Sequence, residues 1–172
     1  MKRPQPTGRE IVFGEEEIIV SKTDPRGVIT YANPVFIRVA GYTEEELLGK
    51  AHNIVRHPDM PRCVFDLMWA QLKAGREIFA YVKNMARNGD HYWVHAHVTP
   101  TFDESGMITN YHSNRRRPDR SVVTKVEPIY RRLCEEERNQ PGPRQALEAG
   151  RGMLESMLKN AGVTYDQLVW SL

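Results

Sequence analysis

Apolar residues recur along the chain at two periods, near 2 and near 3.6, and the changes from one to the other mark out the elements. Ile18-Ile-Val-Ser-Lys22 and Val28-Ile-Thr-Tyr-Ala32 are short β-type runs joined by Asp24-Pro-Arg-Gly27, a turn with Pro and Gly in their usual places. Together they predict a hairpin. Asn33-Pro34 opens a short helix carrying Phe36, Val39 and Ala40 that stops at Gly41, and Thr43 with Glu46 forms a capping box for another that stops at Gly49. A longer helix begins near Met60 or Pro61, with Val64, Leu67, Met68 and Leu72 on one stripe and Trp69 beside it, and ends at Ala74-Gly75. Three strands follow, at 78–84, 91–99 and 107–115, and both connectors, Arg87-Asn-Gly-Asp90 and Asp103-Glu-Ser-Gly106, have hairpin-turn chemistry. This order predicts an α+β domain, a five-stranded antiparallel sheet with short helices over one face.

Alternation then decides which side chains face inward. On the strand 91–99, Tyr92, Val94, Ala96 and Val98 share one side, while His91, Trp93, His95 and His97 share the other. The apolar set is expected to face the pocket. His95 and His97 lie on one side, but no third ligand falls in register, so packing or exposure is expected of them and not a metal site. After Arg115 the period lengthens: Val122, Val126, Ile129, Tyr130 and Leu133 make one stripe, which predicts an amphipathic helix over 121–138. Asn139-Gln-Pro-Gly-Pro143 breaks it. A second helix, 144–160, carries Leu147, Leu154, Met157 and Leu158, and a short segment, 164–172, closes the chain. Helices this short are expected to dock back on the domain or to form a homodimer with a second copy.

Composition narrows the classes. The 172 residues hold 24 basic and 22 acidic side chains, a net charge of +2 that makes no general case for nucleic acid or a membrane surface. Arg115-Arg-Arg-Pro-Asp-Arg120 is one short basic run, read as a solvated strand end. Two distant cysteines, Cys63 and Cys134, form neither a disulfide framework nor a metal spacing, and no apolar run reaches the roughly 20 residues of a membrane span. A cytoplasmic protein is expected. No nucleophile-base-orienter spacing, phosphate loop or metal cluster is present, so an enzyme is the least supported class.

One stretch stands apart, Asn53-Ile-Val-Arg-His-Pro-Asp-Met-Pro61. It sets a guanidinium, an imidazole and a carboxylate (Arg56, His57, Asp59) between two prolines that fix the backbone. A rigid, partly cationic segment beside a core helix reads as a ligand grip. The plainer alternative has Asp59 capping the following helix and Arg56 solvated.

Thr23-Asp-x-x-Gly-Val-Ile-Thr-Tyr-Ala-Asn33, Gly41-Tyr-Thr-Glu-Glu-Glu-Leu-Leu-Gly49 and Asn88-Gly-Asp-His-Tyr-Trp93 together resemble a PAS domain, over about residues 18–117. The segment 53–61, Met68-Trp69 with Leu72-Lys73, and Lys83-Asn84 resemble the aerotaxis-receptor type, whose PAS domain binds FAD without a covalent bond. The resemblance implies the PAS fold and a cofactor-binding set of Asn33, Arg56, His57, Asp59, Trp69, Asn84, Tyr92 and Arg115. Asn84 matches a flavin-contacting asparagine of the related light-sensing LOV domains, and Arg115 lies where those carry a glutamine facing the flavin N5. Two positions depart from these patterns. Histidine or asparagine (His52, Asn53) falls where LOV domains carry the photochemical cysteine, and Ile78 replaces a tryptophan found in the receptor.

These readings divide the chain into a leader (1–17), a PAS sensor (18–117), a connector helix (118–138) and a helical extension (139–172). The function they imply is a redox- or oxygen-linked signalling sensor that holds FAD and relays its state through the flanking helices. Two alternatives stay open: a haem-binding PAS domain using His52 or His57 as axial ligand, and a cofactor-free interaction module.

Overall fold

The computed structural model describes residues 4–172, so Met1-Lys-Arg3 of the expected leader lie outside the described residues. Five strands, β1 (Ile19–Thr23), β2 (Ile29–Ala32), β3 (Ile78–Met85), β4 (His91–Phe102) and β5 (Ile108–Arg116), form one antiparallel sheet in the spatial order β2-β1-β5-β4-β3. The pairing of β1 with β5 is the long-range step. Ile19 lies opposite Arg115, Ser21 opposite Ser113 and Thr23 opposite Tyr111, which brings the first and last strands together at the sheet centre. β4 runs past its expected end at Thr99 and includes Pro100. That residue pairs with Tyr111 beyond the point, Ile78 opposite Val98, where β3 stops, so its missing N–H removes no ladder bond on that side.

Local signals explain the first helices. α1 (Pro34–Ala40) is capped by the Asn33 side chain, which accepts from Phe36 N, and ends at Gly41 with φ 69°. α2 (Glu44–Leu47) carries the complete Thr43–Glu46 capping box. A single 3₁₀ turn, His52–Val55, and α3 (Arg62–Lys73) complete the layer over one face. Phe36, Leu47, Val55 and Val64 pack there against Ile19, Ile29 and Tyr92 as the buried core.

The opposite face is covered too. α4 (Arg120–Arg138) crosses it, with the Tyr130 hydroxyl donating to the Tyr81 carbonyl at 2.7 Å and its ring stacked near Trp93. α6 (Tyr165–Ser171) lays Trp170 against Phe79 and His95. Between these two, α5 (Pro143–Ala161) packs on α3 and α4, so the helical extension docks back on its own domain. The face bearing His91, Trp93, His95 and His97 is therefore mostly an internal packing surface.

The leader is ordered over its described residues. It is an extended strap along the β3–β4 turn, held by Thr7 N to Gly89 O, His91 N to Arg9 O and Ile11 N to His91 O, with Phe13 buried. The strap presses so close that a Cβ on Gly89 would sit 2.1 Å from the Gln5 carbonyl oxygen. The basic run is no solvated strand end. Arg115 is buried, Arg117 donates to Phe13 O at 3.2 Å and pairs with Glu15, and Arg120 pairs with Glu10 at 2.7 Å, so this run clamps the strap.

Candidate functional site

A cavity of about 1050 Å³ lies beneath the proline-bracketed loop, between the helix-covered face of the sheet and α3. That volume is at the upper end of the roughly 300–1,000 Å³ range of small-molecule and cofactor sites. Its floor comes from alternate residues of four strands: Ser21 and Thr23 on β1, Val82 and Asn84 on β3, Ala96 and Val98 on β4, and Tyr111, Ser113 and Arg115 on β5. Trp69 closes one end, edge-on to Tyr111 at 5.5 Å and against the β1–β2 turn. Gly27, at φ 81°, is what lets that turn approach, because a Cβ there would meet the indole at 3.0 Å.

Arg115 dominates the chemistry of the floor. Only 2 % exposed, it donates from Nη2 to Ser21 Oγ at 2.5 Å and lies over the Phe36 ring at 4.4 Å, while Nε and Nη1 have no partner. Ser21 Oγ, accepting from Arg115, also lies 3.0 Å from His52 Nε2. Burial, and next the Arg115 charge, push the His52 pKa down to about 3, so the imidazole stays neutral. Burial also lowers Arg115, to about 10, which still leaves it cationic near neutrality. Arg115 is thus a buried cation lining the cavity with two donors unpartnered, a chemistry that suits an anionic or carbonyl acceptor.

The loop above is held from both sides. Arg56 bridges to Asn84 on β3 through the backbone, stacks over Phe65 at 4.4 Å and donates to Met60 O at 3.4 Å. His57, 2 % exposed, accepts the Asp59 N–H on Nδ1 at 3.1 Å, so the 3.7 Å approach of Asp59 Oδ2 to that nitrogen is proximity and not an ion pair. On the outer side Cys134 Sγ donates to Asp59 O, Arg138 pairs with Asp59 at 3.1 Å, and Lys83 reaches it at 3.7 Å. Asp59 does not cap α3. Glu137 of α4 does so from a distance in sequence, accepting from Arg62 N at 2.9 Å and Cys63 N at 2.8 Å, and it raises the buried Cys63 thiol further.

Of the expected cofactor residues, the structure gathers Arg56, His57, Trp69, Asn84 and Arg115 around the cavity. Asn33, Asp59 and Tyr92 lie outside its wall. Asn33 spends its amide on Val20 N, Ile18 O and the α1 cap; Asp59 points to α4; Tyr92 is wholly buried in the core. Ile78 is core and Phe79 stacks on His97 at 4.1 Å on the far face, so neither lines the cavity. Residue patterns did not single out Ser21, Phe65, Ala146 or Leu147 as wall residues, nor Glu137 as the α3 cap. Strand alternation alone would have found Ser21. Among the described residues no three His, Cys, Asp or Glu gather as a metal set, and no helix is long and apolar enough to cross a membrane.

The family described as PAS fold matches residues 29–115, and the chain belongs to that family. Within it the chain is of the aerotaxis-receptor type: the Aerotaxis receptor of Escherichia coli (strain K12) is 43% identical over 130 residues, covering 76% of this chain and 26% of the receptor. The Nitrogen fixation regulatory protein of Klebsiella pneumoniae is 31% identical over 102 residues, covering 59% of this chain and 21% of that protein. The chain thus spans about a quarter or less of the length of these relatives. Among solved structures, the dark structure of the blue-light photoreceptor Aureochrome1 LOV shares the fold, with a TM-score of 0.58 at 20% identity over 64% of this chain and 85% of that one.

Proposed function

We propose that this chain is a cytoplasmic redox- or oxygen-linked signalling sensor that holds FAD non-covalently in the cavity. The observation that carries this reading is Arg115, a buried guanidinium with Nε and Nη1 unpartnered beside a cavity of about 1050 Å³. A bound flavin supplies reversible electron storage, with charge gained on its ring on reduction. Arg115 would donate to the polar edge of the ring and stabilise that charge, with Asn84 as a second polar partner and Trp69 as an aromatic wall. His52, held neutral, keeps a second positive charge away from Arg115.

Output runs through the segment beyond residue 117. Arg115 sits on β5, which leads within a few residues into α4, and the loop holding Arg56 and His57 is gripped on its other side by Cys134 and Arg138 of α4. A change in hydrogen bonding at either place biases how α4 docks. That path supports a division into a leader (1–17), a PAS sensor (18–117), a connector helix (118–138) and a helical extension (139–172). The test is an absorption spectrum of the purified protein, oxidised and then reduced with dithionite. A yellow protein bleached by dithionite is expected. A colourless protein that stays apo after incubation with FAD rejects the reading.

A further inference from the structure

A second cavity, of about 310 Å³, lies between the leader strap and α4. Pro6, Gly8 and Glu10 of the strap form one of its walls, and His91, at the start of β4, lines it beneath them. His57 borders both cavities, its ring edge-on to that of His91 at 5.9 Å.

His91 is also where the strap docks. Its N–H donates to Arg9 O at 2.8 Å and its carbonyl accepts from Ile11 N at 2.7 Å, around a single bridge to Glu10 with no ladder beyond it. Its side chain is 9 % exposed, and Nδ1 is buried without a hydrogen-bond partner. A neutral imidazole can leave that nitrogen bare. An imidazolium carries a proton on both nitrogens, and the one on Nδ1 would meet neither an acceptor nor water.

The charges that face the ring are already matched. Glu10 of the strap pairs with Arg120 of α4 at 2.7 Å, Glu127 of α4 with Lys83 of β3 at 3.3 Å, and Asp59 of the loop with Arg138 at 3.1 Å, while His57 Nδ1 accepts the Asp59 N–H. A proton on His91 would therefore be a surplus buried charge.

We propose that strap residues 6–11 are an acid-released latch: a proton on His91 is accommodated only when the strap lifts and water reaches the ring, with the buried Phe13 as the anchor that stays. Burial first, and Lys83 next, hold His91 below its ordinary value near 6.5, against the pull of Glu10 and Glu127 and with Arg120 adding to the push. The closed strap thus excludes a proton that the lifted strap admits, so closure weakens as pH falls below about 6.5. Through His57, the latch gives the large cavity an input from acidity. It works whether or not that cavity is filled.

The test is amide hydrogen exchange of the full chain, followed by NMR at pH 7 and pH 5 and expressed as protection factors corrected for intrinsic rates. In the wild type, protection at Thr7, Ile11 and His91 should fall about fivefold or more between the two. His91→Gln, polar but uncharged at either pH, should hold its protection within about twofold. Arg120→Gln, at an exposed position that does not threaten folding, removes a cation facing the ring and the partner of Glu10. Its protection should be lower at both pH values and should fall less between them, so this variant decides the matter if His91→Gln does not fold. Wild-type protection that is level from pH 7 to pH 5, or a fall as large in the variants as in the wild type, overturns the proposal.

Discussion

Lys83 and Arg115 are buried cations on opposite faces of one sheet, 8 % and 2 % exposed, and the protein treats them differently. Lys83, on the face under α4, has Glu127 at 3.3 Å, Asp59 at 3.7 Å and the Trp93 ring at 5.8 Å. Glu137, a buried anion that reaches from α4 to the cavity layer, is likewise answered by two backbone N–H groups of α3. Arg115, on the cavity face, has a serine hydroxyl, an aromatic ring and no carboxylate. Removing a charge from water is costly unless partners replace the water. The α4 side meets that cost within the chain, so its charges hold the helices in place. The cavity side does not meet it with a carboxylate, and the proposed flavin would meet it instead.

The largest effect expected on stability comes from the scaffold side. Glu137→Ala leaves Arg62 N and Cys63 N without acceptors at the α3–α4 junction, at a cost of about 2–4 kcal/mol at two orphaned groups. Glu137→Gln, which keeps one acceptor oxygen, should fall about midway, and urea denaturation measures both. A Glu137→Ala protein as stable as the wild type would mean that the docked extension is not tied to α3 by charge.

Arg115→Met sharpens the contrast by reversing the sign. Losing an unanswered buried charge should leave apo stability unchanged or raise it by about 1–3 kcal/mol, while flavin affinity falls about tenfold or more. The pair of measurements is a denaturation curve without ligand and a fluorescence titration with FAD. If apo stability drops instead, Arg115 is a structural cation like Lys83 and the contrast fails. Lys83→Met should cost about 1 kcal/mol or less, because its partners Asp59 and Glu127 are half exposed and remain solvated without it.

What was legible in the sequence follows from the range of each interaction. The Thr43–Glu46 box, the Asn33 cap and the turn residues act over three or four positions, and the structure has each of them where local chemistry put it. Alternation on β5 places Arg115 on the same face as Ser113 and Tyr111, toward the cavity. Alternation could not separate Arg56 from Asp59, which sit close in sequence yet face opposite ways, because the turn at Pro58 carries the chain from the cavity to α4. Nor could it show Glu137 reaching α3 or Gly150 making room for it: a Cβ at Gly150 would lie 2.6 Å from Glu137 Oε1, a fit visible only once α5 has docked. Asn33 matched the family motif and is spent on the backbone of β1 and α1, so a matched motif position here marks the fold.

The smallest expected effect is a pH slope, and it probes whether Arg115 is electrically alone. His52 is pushed down to about 3 by burial first and by Arg115 second, against an ordinary value near 6.5. Between those two values the unfolded chain binds a proton that the folded chain refuses, so stability falls as pH drops through that window. One such group contributes at most about 1.4 kcal/mol per pH unit, less where cavity water reaches the ring. His91 and His95 are also lowered by burial and add slope of the same sign in every variant. Arg115→Met removes the second cause at His52 alone, so its urea midpoint should track the wild type between pH 7 and pH 5 and fall less than that of the wild type between about pH 5 and pH 3, where the folded ring begins to take up its proton. Parallel midpoints would mean that the Arg115 charge is screened from His52 across Ser21, which a dry, unanswered guanidinium cannot be.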